Sequence, residues 1–167
     1  MDPAVKKTAL RMIPYGLYVL TGKAKDGRVT AATVNWATQA SFQPPLVVVG
    51  VKADSSAHGI IKDAGAFALN ILGKGQQSTA FAFFKSVERD GNRIGGEPFR
   101  SGQTGAPILE NVPAFVECKL VETLEKGDHS IFVGEVVNAG LGKEISGRPD
   151  DATLWLKDLG ANVFYGG

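Results

Sequence analysis

Two long runs, Ala114 to Glu125 and His129 to Leu141, are separated only by Lys126-Gly127-Asp128, too few residues for anything but an antiparallel return. In the first arm Val116, Cys118, Leu120 and Leu124 share one parity, with Glu117, Lys119 and Thr123 on the other, the alternation of a half-buried strand. The second arm contains Ile131 to Val137 (IFVGEVV), apolar on both parities, so it should be covered on both faces, by the core and by something else. A second copy of the chain is a candidate for that cover. Such a hairpin belongs to an antiparallel architecture and argues against a doubly wound parallel sheet.

The remaining segments agree with it. Tyr15 to Ala24 and Arg28 to Trp36 read as strands joined at Asp26-Gly27, a hairpin signal. Leu46 to Val51, opened by Pro44-Pro45, reads as a central buried strand, and Ala66 to Leu72 as another. Short helices are expected over 4–12, ended before Pro14, over 76–84 with Ala80, Phe83 and Phe84 at helical spacing, and after Ser55 or Ser56. The last of these carries Ile60, Ile61 and Ala64 inward and stops at Gly65. Lys85 to Val112 is polar and Gly-rich, and a structureless loop of that length is either functional or packs as an excursion. Leu154, Leu156, Leu159 and Val163 supply the final packing. The sum is a mainly β chain, six or seven strands in an antiparallel barrel with inserted helices. The 167 residues suit a single domain, 1–167.

A net charge of +1 with no one-signed stretch gives no footprint for nucleic acid or an anionic membrane, and charged residues interrupt every apolar run short of a membrane span. One cysteine, Cys118, excludes an internal disulfide, and the opening residues lack the apolar core of a signal peptide, so a cytoplasmic setting is expected. On its apolar parity Cys118 reads as a buried, inert thiol.

Hydrolase and nucleotide-loop signatures are missing: there is no GxSxG, P-loop or HExxH, and Gly91 to Gly96 does not join a strand to a helix. Three places could carry chemistry. Thr33-Val34-Asn35-Trp36 through Ala40-Ser41 offers backbone donors, hydroxyls, amides and an aromatic, the combination that holds a planar heteroaromatic ligand, although composition alone favours an ordinary connection. Ser55-Ser56 at a helix start offers an anion site, or a plain N-cap, with His58 in the first turn better suited to neutral donation than to base catalysis. His129 follows Gly127, which permits close approach, and Asp128, which can fix its tautomer; a surface histidine is the other reading.

At these residues the sequence resembles the flavin reductase-like family, FMN-binding split barrels that include flavin reductases of two-component monooxygenases, flavoredoxins and ferric reductases. The resemblance runs from IPYGLYVLTG through TVNWATQASFQPPLVVVGV, SSAHGIIKDAGAFALNIL and EKGDHSIFVGEV to FYGG. It implies a six-stranded antiparallel Greek-key split barrel that homodimerises, with FMN, or FAD, near the dimer interface and NADH or NADPH as co-substrate. The implied flavin contacts are Thr33, Val34, Asn35 and Trp36, then Ala40 and Ser41, with Lys52, Asp54, Ser55 and Ser56 at the phosphate. Many members place arginine and threonine where this chain has Asp54 and Ala57, leaving His58, Ser56 or Lys85 to compensate. Gly127, Asp128 and His129 match the segment associated with the nicotinamide dinucleotide. The implied activity is NAD(P)H:flavin oxidoreduction, hydride passing from nicotinamide C4 to flavin N5 and electrons onward to a monooxygenase or other acceptor. A flavoredoxin-like carrier without NAD(P)H turnover is the alternative.

Overall fold

A computed structural model describes all residues, 1–167. Its frame is a seven-stranded antiparallel sheet. In chain order the strands are β1 (Tyr18–Lys23), β2 (Val29–Val34), β3 (Ala37–Ser41), β4 (Leu46–Lys52), β5 (Ala66–Ile71), then β10 (Ala114–Glu125) and β11 (His129–Leu141), after a smaller sheet described below. Their spatial order is β2-β1-β5-β10-β11-β4-β3. Seven strands lie within the six or seven expected from the residues and exceed the six implied by the resemblance by one, because the chain turns at Asn35-Trp36 and continues as β3, an edge strand paired to β4. Leu20, Val49, Val51, Phe67, Leu69, Cys118 and Phe132 come from five different strands yet form one buried cluster, so the sheet curves around it.

The hairpin places β10 against β11 from Ala114↔Leu141 to Glu125↔Ser130, with register shifts at Glu117/Cys118 and Leu120/Glu122. At the first shift both Glu117 and Cys118 are fully buried. This corrects the outward parity expected for Glu117: the segment before β10 folds back over that side of the strand. Residues 89–109 form β6 (Arg89–Asp90), β7 (Arg93–Ile94), β8 (Glu97–Ser101) and β9 (Pro107–Leu109), a four-stranded sheet. The glycine-rich stretch is thus a packed excursion. It buries Ile94, Phe99 and Leu109 with Leu17, Val19, Phe83 and Leu154, and Ile108 with Phe115.

β4 is a second correction. It lies next to the edge rather than at the centre, and Leu46, Val47 and Val48 are only half-buried, since Ala37 to Ser41 is too short and polar to cover it. Three helices interrupt the strands. α1 (Pro3–Arg11) is capped by Asp2 and has no buried residue. α2 (Ser56–Ala64) starts on the Ser55 cap, buries Ala57, His58, Ile60 and Ile61, and ends at Gly65, whose φ of 65° suits glycine. Ala64, expected inward, is half-buried. α3 (Gln77–Ala82) buries Thr79 and Ala80 and leads to buried Phe83, while Phe84, expected inward, is half exposed. No helix is long and apolar enough to cross a membrane.

Candidate functional site

The end of β2 (Ala32, Thr33, Val34), Asn35, the end of β4 (Gly50, Val51, Lys52), the start of α2 (Ser55, Ala57) and the start of β11 (His129) converge on one cavity of about 350 Å³. Thr33 builds its wall. The Thr33 amide donates to the Phe83 carbonyl at 3.0 Å and the hydroxyl to the Ala80 carbonyl at 2.7 Å, which fixes the end of α3 and the Phe83-Phe84 side of the cavity. Leu156, Val163, Phe164 and Tyr165 complete the lining.

Asn35 is the polar lining residue whose side chain is left without a partner. It is 5% exposed, and its Nδ2 has no hydrogen-bond partner. A buried amide donor left unpaired costs about 1–3 kcal/mol, so it marks a place where a ligand acceptor would be rewarded.

At the other wall, Ser55 Oγ donates to the Lys52 carbonyl at 2.7 Å and accepts from the His58 amide at 3.2 Å. The hydroxyl is therefore used by the cap, and any anion here would meet backbone amides at the helix start and Lys52. Lys52 Nζ lies 3.1 Å from Asp54, an exposed pair that is worth little and can open.

His129 has both ring nitrogens engaged, Nδ1 with Asp128 Oδ1 at 2.9 Å and Nε2 with the Tyr165 hydroxyl at 2.7 Å. The Asp128 carboxyl is held below its ordinary range, mainly by that hydrogen bond and also by its electrostatic attraction to the ring. Trp36 stacks at a tilt on His129, ring centroids 4.6 Å apart.

Thr33, Val34, Asn35, Lys52, Ser55 and His129 are thus brought together at the cavity, and the other expected residues are not. Trp36 does not line the cavity but touches the lining residues Gly50, His129 and Tyr165, and its Nε1 is buried without a partner. Ala40 and Ser41 lie on the edge strand β3, and Lys85 is exposed beyond α3. Asp54 is tied to Lys52, and Ser56 is exposed on the first turn of α2. His58 turns inward, its Nε2 2.8 Å from the Ser130 hydroxyl and 3.5 Å from Glu125, because the helix that starts at Ser55 aims this position at β11. Gly127 approaches nothing closely; a Cβ there would meet only the His129 carbonyl, at 3.9 Å. Missed from the sequence were Phe84, Phe164 and Tyr165. Only the position of FYGG in the resemblance pointed to the last two.

The sequence pattern described as Flavin reductase like domain matches residues 10–158, nearly the whole chain. The chain belongs to the flavin reductase-like family. It is 33% identical over 146 residues to a flavin reductase (NADH) of Kitasatospora aureofaciens, covering 87% of this chain and 74% of that protein. It is 32% identical over 143 residues to a probable flavin reductase of Rhizobium meliloti, covering 84% of this chain but only 45% of the relative's length. The crystal structure of the NADH:FAD oxidoreductase of Streptomyces globisporus C-1027 superposes with a TM-score of 0.72 at 28% identity, covering 84% of this chain and 85% of that one. Family membership accounts for the mainly β, antiparallel frame of this flavin reductase-like chain.

Proposed function

We propose that this protein is a flavin reductase that binds FMN or FAD in the cavity at Asn35 and oxidises NADH or NADPH. The carrying observation is the unpaired, buried Asn35 amide in a largely apolar cavity that also reaches a helix start and His129. These residues fit a flavin: apolar area for the ring faces, a donor for its carbonyl and ring-nitrogen edge, and helix amides with Lys52 for its phosphate. A flavin held here would supply a two-electron acceptor whose N5 is the position for hydride from nicotinamide C4.

The chain's own residues orient and exclude. Asn35 Nδ2 would donate to the heterocycle edge, and Val34, Phe84 and Leu156 would keep water from its faces. Lys52 and the first amides of α2 would neutralise the phosphate, with Ser55 holding that helix start in place. His129, its tautomer set by Asp128, stands on the side assigned to the nicotinamide. No side chain is required to move a proton in the transfer, in keeping with a cavity without a base–nucleophile pair.

The same reading takes the curved sheet as a Greek-key split barrel of one domain, paired with a second copy, working in the cytoplasm. Support for the pairing is an apolar groove of about 350 Å³ without a charged residue in its lining, framed by Pro45, Leu46, Val47 and Val136, beside the 89% exposed Phe42. The electrons leave with reduced flavin to a monooxygenase or another acceptor. A flavoredoxin-like carrier is favoured by one observation, the engagement of both His129 nitrogens.

Purified protein mixed with FMN or FAD should stay yellow through gel filtration, and NADH or NADPH should bleach it anaerobically. Failure to bind either flavin at micromolar concentration overturns both readings. Flavin binding without bleaching by either nucleotide selects the carrier.

A further inference from the structure

Val163, Phe164 and Tyr165 form one side of the cavity, and this segment is fastened at several points. Arg11 Nε donates to the Gly166 carbonyl at 3.2 Å, and the Arg11 guanidinium lies 4.3 Å above the Phe164 ring. Gly166 packs so closely on Trp36 that a Cβ there would stand 3.0 Å from the indole. Trp36 and Tyr165 meet at a centroid distance of 5.3 Å, and Tyr165 meets His129 edge-on at 5.8 Å. The segment therefore sets Tyr165 against the imidazole rather than merely passing it.

The hydrogen bonds leave His129 with nothing to offer. Nδ1 is engaged with Asp128, Nε2 with the Tyr165 hydroxyl, and one face of the ring with Trp36. Burial, the largest influence on the Tyr165 phenol, raises it above its ordinary range, so the hydroxyl keeps its proton at neutral pH. With Nδ1–H given to Asp128, Nε2 accepts from the phenol, and an amide or hydroxyl donor of a dinucleotide can reach it only by taking the phenol's place. The phenol is free to yield, since Tyr165 is 46% exposed.

We propose that Tyr165 is a residue controlling pyridine-nucleotide recognition: its hydroxyl and the dinucleotide compete for His129 Nε2, so each binding event must break the Tyr165–His129 contact. The inference rests on the assignment of His129 to the nicotinamide side. Internal competition of this kind raises the apparent Michaelis constant by the factor the contact contributes and leaves the flavin's own contacts at Asn35 and Lys52 untouched.

Tyr165→Phe keeps the ring on Trp36 and removes only the hydroxyl. A neutral hydrogen bond of this type corresponds to about a two- to ten-fold effect. In steady-state assays at saturating FMN, Y165F should lower KM for NADH or NADPH by that factor, with a smaller change in kcat. H129A should raise KM, and H129A/Y165F should match H129A alone, because the hydroxyl then has nothing to compete for. An unchanged or raised KM in Y165F beside a raised KM in H129A overturns the competition and leaves the assignment of His129 standing. An unchanged KM in H129A overturns both. Flavin fluorescence titration of each variant supplies the control that separates these outcomes from altered flavin affinity.

Discussion

Glu117 is the residue whose environment departs furthest from its chemical habit. It is fully buried, yet it accepts hydrogen bonds from the Gln103 amide at 3.1 Å, the Thr104 amide at 2.9 Å, the Thr104 hydroxyl at 2.7 Å and Asn138 Nδ2 at 2.6 Å. Burial pushes its pKa upward, but the donors from Asn138, Thr104 and Gln103 together outweigh it and hold the carboxyl below the usual range. A depressed folded pKa means stability that is complete above the unfolded value, near about 4.3, and is lost as pH falls through the folded one. Gly102 permits the arrangement, because a Cβ there would collide with Glu117 Oε1. Glu117→Gln offers an amide NH2 where the site supplies only donors. It should lower stability in urea denaturation at neutral pH by about 1.5–3 kcal/mol, the range for hydrogen bonds to a charged group. The gap between E117Q and the unsubstituted protein should narrow below about pH 4; a constant gap across that range would count against an ionised Glu117.

Between elements, one side chain ties the excursion to the main sheet. Asn70 on β5 donates from Nδ2 to the Val19 carbonyl at 3.1 Å and to Thr21 Oγ1 at 3.2 Å, and accepts from the Leu109 amide at 2.8 Å. Thr21 Oγ1 in turn donates to the Pro107 carbonyl at 2.6 Å, so β1, β5 and β9 share one buried polar knot. Asn70→Ala strands the Leu109 amide and should cost about 2 kcal/mol. Hydrogen exchange should show residues 97–109 losing protection before β10 and β11 do; uniform loss would mean that Asn70 does not dock the excursion. Elements with local signals were legible in the sequence: the hairpin with its three-residue turn, the Ser55 cap, the Gly65 stop. What escaped depends on contacts distant in the chain. Glu117 reads as a solvent-facing alternation until a bulge and the 102–104 segment cover it, and β4 reads as central until β3 supplies its short, polar neighbour. The site divides in the same way. Thr33, Asn35, Ser55 and His129 carry local signals and Lys52 came through the resemblance, whereas Phe84 and Tyr165 enter only because α3 and the segment after Leu159 fold over the cavity. His58, expected at the site, does not line the cavity, because a residue in the first turn of a helix can point to solvent or core and only the packing of α2 on β11 decides which.

For the whole molecule, the apolar residues of β11 fall on two faces, and the proposed pairing would cover the second. Phe132 is fully buried in the core, while Ile131 and Val137, on the opposite parity, are 42% and 48% exposed. The open groove beside Pro45 and Leu46 adds apolar surface with no charge to oppose association, and Phe42 projects from the β3–β4 turn next to it. A symmetric pair would use the same patch on both copies, so every apolar group at the contact counts twice. Burying one Phe side chain is worth about 1.5–3 kcal/mol, hence about 3–6 kcal/mol for two copies of Phe42. Each 1.4 kcal/mol is about tenfold in a dissociation constant, so Phe42→Ser should weaken the dimer by about two to four orders of magnitude. Because Phe42 packs on nothing in its own chain, that substitution leaves the monomer's core intact. Sedimentation equilibrium should give twice the 17.6 kDa chain mass for the unsubstituted protein and a shift toward a single chain for F42S at micromolar concentration. A single-chain mass for the unsubstituted protein would rule out the pairing, and a dimer undisturbed by F42S would move the contact away from the β3–β4 turn.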